Sequence, residues 1–158
     1  MSPQDIYLRY GSVVYRRARR LLGDDQAAKD ACQDVFLRLF RSLPDFERAS
    51  PVTWLYKVTT NYCLNLIRDE VRHRKQLEAR ATSEPSTAAT PSLADLLRGF
   101  PEDLQEIAIY YFVDEMSQDE IARIAGISQR TVSNRLTAFR NLAKAAWTNV
   151  FEEAPETQ

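Results

Sequence analysis

The chain has 158 residues, of which 44% are hydrophobic, and its 21 Lys and Arg against 22 Asp and Glu give a formal net charge of −1. This length and composition suit one domain, or two small ones, with a packed core. They exclude a membrane span, because no stretch approaches the roughly 20 continuous apolar residues that cross a bilayer. A signal peptide is not expected either, because charged residues interrupt the apolar residues of the N-terminal segment MSPQDIYLRYGSVVYRR.

The small net charge conceals three blocks of opposite sign. Basic side chains outnumber acidic ones 15 to 10 over residues 1–80 and 5 to 0 over residues 121–148, but over residues 81–120 acidic side chains dominate 9 to 1. Two basic blocks suggest two surfaces for anionic ligands. Solvated helix faces would give the same pattern, so charge alone identifies no function.

The residues that carry most enzyme and metal chemistry are scarce. Two cysteines, Cys32 and Cys63, and one histidine, His73, are too few for a four-ligand metal site or a disulfide framework. There is no glycine-rich phosphate loop and no carboxylate–histidine cluster. We therefore expect a reduced, cytoplasmic protein that is not an enzyme and has no metal or cofactor.

Apolar spacing predicts two helices before Pro44. The first carries Ile6, Tyr10, Val13, Val14 and Leu21 and ends at Gly23. The second has the clearest amphipathic pattern. Its apolar stripe is Ala28, Ala31, Cys32, Val35, Phe36, Leu39 and Phe40, and its polar face is Lys29, Asp30, Gln33, Asp34, Arg38 and Arg41.

A third helix is predicted to begin at Ser50-Pro51, an N-cap followed by a first-turn proline. Its apolar positions are Trp54, Leu55, Val58, Tyr62 and Leu66, and a polar row comprises Lys57, Thr60, Asn61, Asn65, Arg68 and Arg72. Aromatic rings beside amides and cations suit unstacked single-stranded bases. An ordinary helix with a solvated polar row explains the same pattern, and the residues alone favour that explanation.

Residues 81–92 contain two prolines and no large apolar side chain, which indicates a flexible linker. Beyond it lie a short apolar patch and a helix over Glu102–Val113. The patch contains Leu93, Leu96, Leu97 and Phe100, and the helix carries Leu104, Ile107, Ala108, Tyr111 and Phe112.

The C-terminal part has the pattern of a helix-turn-helix. Ser117 and Glu120 have the spacing of a capping box, Gly126 suits the turn, and Ser128 caps a second, longer helix. That helix is predicted to bury Val132, Leu136, Phe139 and Leu142, and to present Gln129, Arg130, Ser133, Asn134 and Arg135 to base edges. A plain helical hairpin also uses a turn glycine, but the caps, the spacing and the absence of acidic residues over 121–148 favour duplex DNA binding.

Three segments, which follow one another along the chain in the order found in the family, resemble the extracytoplasmic-function (ECF) sigma factors of bacterial RNA polymerase. Thr53–Val58 followed by Asn61 resembles the promoter-melting segment, and Ala28–Phe36 resembles the segment that docks on the polymerase clamp helices. The helix-turn-helix, preceded by Leu104–Phe112, resembles region four. Together they cover nearly the whole chain.

The resemblance implies an all-α fold of two small helical domains joined by a flexible linker. The expected boundaries are 1–78 for a region-two domain, 79–100 for an acidic linker, 101–150 for a region-four domain and 151–158 for an acidic tail. In the family the linker threads the interior of the polymerase.

The resemblance also implies roles for individual residues. Core polymerase would bind Asp30, Gln33, Asp34 and Arg38, and the loop Asp45–Val52 would hold a base flipped from the minus-ten element. Melting and binding of that element would involve Trp54, Lys57, Asn61, Asn65, Arg68 and Arg72, with Arg74 and Lys75 near phosphates. The minus-thirty-five duplex would be read by Gln129, Arg130, Thr131, Ser133, Asn134 and Arg135.

The expected function is therefore that of a transcription initiation factor. It would bind the clamp helices and flap of core polymerase, direct the enzyme to promoter DNA in duplex and single-stranded form, and be regulated by an anti-sigma factor, without membrane insertion. The alternative is a stand-alone helix-turn-helix regulator, which predicts tight binding to a palindromic operator without polymerase.

Overall fold

The computed structural model describes residues 2–42, 50–80, 93–97 and 99–152. Its contacts divide the chain into a first unit, Met1–Arg98, and a second unit, Gly99–Gln158. The described residues form helices and no strand, as expected. Among them, no helix is apolar enough over a sufficient length to cross a bilayer, and no three His, Cys, Asp or Glu side chains are grouped to hold a metal ion. The predicted linker 81–92 and most of the predicted base-holding loop lie outside the described residues.

The first unit consists of α1 (Pro3–Leu22), α2 (Asp25–Arg41), α3 (Pro51–Arg80) and a short α4 (Leu93–Leu97). The predicted break between α1 and α2 is confirmed. Gly23 takes the left-handed conformation with φ of 74°, and the Asp24 side chain accepts a hydrogen bond of 2.8 Å from the Ala27 N–H. A cap and a left-handed glycine in succession stop one helix and start the next.

The core of the first unit follows the predicted stripes of α1 and α2. Its buried cluster comprises Ile6, Tyr10, Val14, Cys32, Val35, Phe36, Leu39 and Leu55. Both α1 and α2 pack on α3 as well as on each other. The polar face predicted for α2 is exposed, so this part of the fold could be taken from apolar spacing alone.

The apolar stripe predicted for α3 is partly wrong. Leu66, expected in the core, is 36% exposed, whereas Thr60, expected in the polar row, is fully buried. Thr59 and Thr60 can face the interior because their hydroxyls donate to the carbonyls of Leu55 and Tyr56, at 2.6 and 2.8 Å. A threonine bonded to its own helix carries no unsatisfied polar group into the core.

The short helix α4 lies within the range predicted as linker. It packs on α3 and α1, and Leu97 is buried. Part of the predicted linker range is thus helical and belongs to the first unit. The domain boundaries themselves stay a prediction.

The second unit consists of α5 (Glu102–Ala108), a π-helical turn (Ile109–Val113), α6 (Gln118–Ala125) and α7 (Gln129–Glu152). The predicted helix over Glu102–Val113 therefore changes type halfway. The Asp114 N–H donates to the Ile109 carbonyl, five residues back, at 3.0 Å. The wider turn shifts the phase of the apolar face, so that Tyr110 is buried and Phe112 is 49% exposed.

Burial along α7 ends earlier than predicted. Val132 and Leu136 are fully buried and Phe139 is half-buried, but Leu142, expected in the core, is 44% exposed. The ring of Phe139 stacks on Phe100 with 4.5 Å between centroids. The buried side chains of the second unit are thus few, which leaves most of α7 facing outward.

Candidate functional site

The turn of the helix-turn-helix is built as predicted. The Ser117 hydroxyl accepts from the Glu120 N–H at 3.2 Å, and the Glu120 carboxylate accepts from the Ser117 N–H at 2.7 Å. These bonds hold the pKa of the Glu120 carboxyl below its ordinary value, and the bond from the Ser117 backbone N–H contributes most. Gly126 has φ of 70°, and its N–H donates to the Ala122 carbonyl at 3.0 Å. Ser128 caps α7 by accepting from the Thr131 N–H at 3.1 Å.

Three of the six residues predicted to read duplex DNA share one exposed face of α7. Arg130, Ser133 and Asn134 are exposed and have the i, i+3, i+4 spacing of neighbours on a helix. Thr137 continues the same face and was missed by the sequence analysis, although its spacing from Asn134 could have indicated it. This face lies in the first turns of α7, where a recognition helix meets base edges.

The other three predicted residues have partners within the second unit. The Gln129 amide donates to Asp119 at 3.3 Å, and the hydroxyls of Thr131 and Ser128 are 2.9 Å apart. The half-buried Arg135 lies 3.7 Å from a carboxylate oxygen of Asp103. The contacts of Gln129 and Arg135 join α7 to α6 and α5, whereas the Thr131 contact lies within the N-terminal cap of α7 itself.

The six residues predicted to act on the minus-ten element all lie on one face of α3. The helix is continuous from Pro51 to Arg80, so its period brings them into one row. Asn65 and Arg72 are exposed, and the other four are half-buried. The Arg68 guanidinium donates to the Asn65 amide oxygen at 2.9 Å. The row is Trp54, Lys57, Asn61, Asn65, Arg68 and Arg72.

A buried arginine that the sequence analysis missed supports this row from beneath. Arg17 of α1 is 5% exposed, and its Nε and Nη2 donate to the Thr60 hydroxyl at 3.2 and 3.1 Å. Its guanidinium carbon lies 4.1 Å from the centroid of the Tyr56 ring, a cation–π contact. Since Thr60 precedes Asn61 and Tyr56 precedes Lys57, Arg17 fixes the backbone that carries the row. Its position on the apolar stripe of α1, three residues after Val14, was the available signal.

The four residues predicted to bind polymerase are exposed on α2. We call Asp30, Gln33, Asp34 and Arg38 the docking face. Leu37 lies between Asp34 and Arg38 in the chain and is 49% exposed, a residue that the sequence analysis did not single out.

One aromatic side chain connects the docking face to α3. The hydroxyl of Tyr62 donates to the Asp34 carboxylate, and the Arg38 guanidinium carbon lies 4.8 Å from the centroid of the Tyr62 ring. Burial, followed by the bond to Asp34, raises the pKa of Tyr62 to about 12. The phenol therefore stays protonated and remains a donor at neutral pH.

Both cysteines are buried, and neither belongs to the rows of predicted site residues. Burial raises the pKa of Cys63 to about 12 and also raises that of Cys32. The thiolate is the reactive form of cysteine, so this environment disfavours oxidation and metal binding. Cys32 instead fills space in the core between α1 and α2, as its place on the apolar stripe predicts.

Two family models match the chain in succession. The model of Sigma-70 region 2 matches residues 6–73, and the model of Sigma-70 region 4 matches residues 92–140. The first match contains α1, α2 and most of α3, including the docking face and the α3 row. The second contains α4 to α6 and the exposed face of α7.

Curated relatives come from several bacteria. The chain is 27% identical to the ECF RNA polymerase sigma factor SigE of Mycolicibacterium smegmatis, over 85% of this chain and 57% of that protein. It is 23% identical to SigM of Bacillus subtilis, covering 93% of the chain and 96% of SigM. It is 29% identical to the sigma factor CarQ of Myxococcus xanthus, covering 89% and 85%. The chain thus spans little more than half of SigE but nearly all of SigM.

Two solved structures share the fold. The sigma factor RpoE, in complex with the anti-sigma factor NepR from Bartonella quintana, gives a TM-score of 0.52 at 20% identity, covering 87% of this chain and 91% of that one. CnrH, in complex with the cytosolic domain of CnrY, gives 0.58 at 23% identity, covering 93% and 88%. The all-α fold expected from the sequence is thereby confirmed.

Proposed function

The chain belongs to the ECF group of the sigma-70 family, and from this membership we propose that it binds core RNA polymerase and directs it to specific promoters. The observation that carries the proposal is the succession of a region-2 match and a region-4 match in one chain. Members of this family are initiation factors and not enzymes. None of the relatives named above is described as a stand-alone regulator.

In this function the exposed face of α7 reads the minus-thirty-five element as duplex. Arg130, Ser133 and Asn134 offer a cation, a hydroxyl and an amide on one side of a helix. Arginine pairs in bidentate fashion with guanine, and asparagine with adenine. Serine is a weaker reader, so specificity would depend mainly on the other two positions.

The row on α3 binds the minus-ten element after its strands separate. Trp54 and Asn61 supply an aromatic surface and an amide, and Arg68 and Arg72 supply positive charge near the backbone of the strand. Extracting a base from the stack costs roughly a few kcal/mol of free energy. Stacking, hydrogen-bond and charge contacts from this row would offset that cost. Arg17, beneath the row, keeps its geometry fixed in the absence of DNA.

The docking face on α2 binds the clamp helices of core polymerase. Asp30 and Gln33 are exposed, and Leu37 adds apolar surface beside them. We also propose that the protein acts in the cytoplasm, where polymerase works, and that an anti-sigma factor regulates it. The solved complex of RpoE with NepR supports this form of regulation by analogy.

Run-off transcription tests the proposed function directly. Core RNA polymerase is incubated with and without the protein on a library of genomic promoter fragments. We expect transcripts that depend on the protein, and their start sites then reveal both promoter elements. Sequence-specific duplex binding by the free protein, without any dependent transcript, would instead favour a stand-alone regulator.

Variants separate the three surfaces. Arg130→Ala should weaken promoter binding by about 1–3 kcal/mol where Arg130 contacts a guanine and relax the preference at that base pair. Lys144→Ala, which removes a charge farther along α7, serves as the control.

The double change Asp30→Ala and Gln33→Ala should impair polymerase binding, whereas Asn61→Ala should spare it and slow strand opening. Loss of polymerase binding in Asn61→Ala would contradict this division.

A further inference from the structure

Tyr62 contacts half of the docking face from a different helix. Its hydroxyl, on α3, donates to Asp34 on α2, and its ring lies under the guanidinium of Arg38. Tyr62 is half-buried and packs against the core cluster of the first unit, so its own position is fixed. The sequence alone places Tyr62 on the apolar stripe of α3, among the aromatic rings beside the polar row, and gives it no part in polymerase docking.

Such a contact changes what the two exposed side chains contribute to binding. Arginine and aspartate side chains on a helix surface sample several rotamers, and a partner that uses them must restrict that freedom. Side chains already held in one arrangement lose less entropy on association, which strengthens binding without a new contact. Tyr62 holds the Asp34 carboxylate by a hydrogen bond and the Arg38 guanidinium by a cation–π contact.

We propose that Tyr62 is a positioning residue for polymerase docking, which holds Asp34 and Arg38 in the arrangement that the polymerase meets. The proposal rests on the function proposed above. Tyr62 directly follows Asn61 in α3, so the same contact also fixes the docking face relative to the row that binds the separated strand. This contact and the packing of α2 on α3 together link the surface for polymerase binding to the surface for promoter opening.

The chain contains a matched control for this bond. The hydroxyl of Tyr15, on α1, donates to the Asp25 carboxylate in the first turn of α2. Asp25 is also paired with Lys29 at 2.8 Å. Tyr15→Phe thus removes the same kind of tyrosine–aspartate hydrogen bond to the same helix, more than two turns away from Asp34.

The experiment measures equilibrium affinity of the full-length protein for core RNA polymerase in four variants. These are Tyr62→Phe, Asp34→Ala, the double variant, and Tyr15→Phe. Phenylalanine keeps the ring under Arg38 and removes only the hydroxyl. We expect Tyr62→Phe to weaken polymerase binding about fivefold, the equivalent of one hydrogen bond, and Tyr15→Phe to change it by less than about twofold. Thermal unfolding of both phenylalanine variants verifies that they lose comparable stability.

The double variant distinguishes positioning from a direct contact. If Tyr62 acts through Asp34, removing its hydroxyl has no further effect on polymerase affinity once Asp34 is alanine. Unchanged or tighter binding by Tyr62→Phe overturns the proposal, and so does a loss that persists undiminished in the Asp34→Ala background. Failure of the wild-type protein to bind polymerase would instead overturn the proposed function.

Discussion

The two units hold their exposed functional rows in different ways. In the second unit, the turn between α6 and α7 is formed mainly by local devices, namely a capping box at Ser117, a left-handed turn at Gly126 and a second cap at Ser128. Two longer-range contacts on exposed or half-buried side chains, Gln129–Asp119 and Arg135–Asp103, add to them. In the first unit, the rows on α2 and α3 are held by contacts between residues far apart in the chain. Arg17 bonds Thr60, and Tyr62 bonds Asp34.

This difference has a consequence for stability and for function. Local devices define a turn whatever the rest of the chain does, but they bury little surface, and the second unit has a small core. Interhelical polar contacts form only when the whole first unit is folded, and they then hold each side chain in a single conformation. We therefore expect core substitutions to affect the second unit most, and interhelical polar substitutions to affect the first.

The largest effect is expected from the small core of the second unit. Leu136→Ala removes a fully buried side chain and should lower the free energy of unfolding of this unit by about 3 kcal/mol. Leu142→Ala, six residues on in the same helix, should change it by less than about 0.5 kcal/mol because Leu142 is exposed. Chemical denaturation monitored by circular dichroism measures both. Equal effects would mean that α7 is buried as far as the apolar spacing predicted.

An intermediate effect is expected from the buried arginine of the first unit. Arg17→Ala removes the hydrogen bonds to Thr60 and the cation–π contact with Tyr56 and leaves a cavity, and should cost about 2 kcal/mol of unfolding free energy. Arg17→Met retains most of the volume and avoids the cavity, so it should cost less than Arg17→Ala.

The pair also separates packing from positioning. If Arg17 positions the α3 row, both variants slow promoter opening, measured by stopped-flow fluorescence on a promoter fragment, although only the alanine variant is much less stable. Normal opening by Arg17→Met would reduce the role of Arg17 to packing.

The same difference determines what could be predicted from the sequence. The caps at Ser117 and Ser128, the turn at Gly126 and the stripe of α2 are local or periodic signals, and all were predicted. Thr60 was misplaced because a threonine bonded to its own helix can turn inward, which apolar spacing does not register. Leu66 was misplaced because the buried face of α3 runs through Cys63, Leu64 and Ile67. The contacts of Arg17 and Tyr62 join residues 43 and 28 positions apart, so no local pattern contains them.

A smaller effect is expected from the capping boxes, of which the structure describes one in each unit. Ser117→Ala removes the cap of α6, which has 8 residues, and Ser2→Ala removes that of α1, which has 20. We expect about 1 kcal/mol for Ser117→Ala and less for Ser2→Ala, because the end of a long helix can fray without loss of the rest. Thermal unfolding compares the two. A larger effect of Ser2→Ala would contradict the view that local devices matter most in the second unit.

The smallest effect is expected from the charge of Glu120, and its pH dependence identifies the cause. Hydrogen bonds from Ser117 lower the pKa of Glu120 in the folded state, so the ionised carboxylate contributes stability above its ordinary pKa of 4.5. That contribution is lost as the pH falls through the lower, folded-state value.

Glu120→Gln keeps an oxygen that can accept the Ser117 N–H and removes only the charge. The stability difference between wild type and variant should therefore be constant near neutral pH and shrink below about pH 4.5. Asp5→Asn is the matched change in the capping box of α1, where the pKa of the carboxyl is lowered by the same kind of bonds to Ser2. A difference for Glu120→Gln that persists undiminished at pH 3 would show that geometry, and not charge, gives this cap its stability.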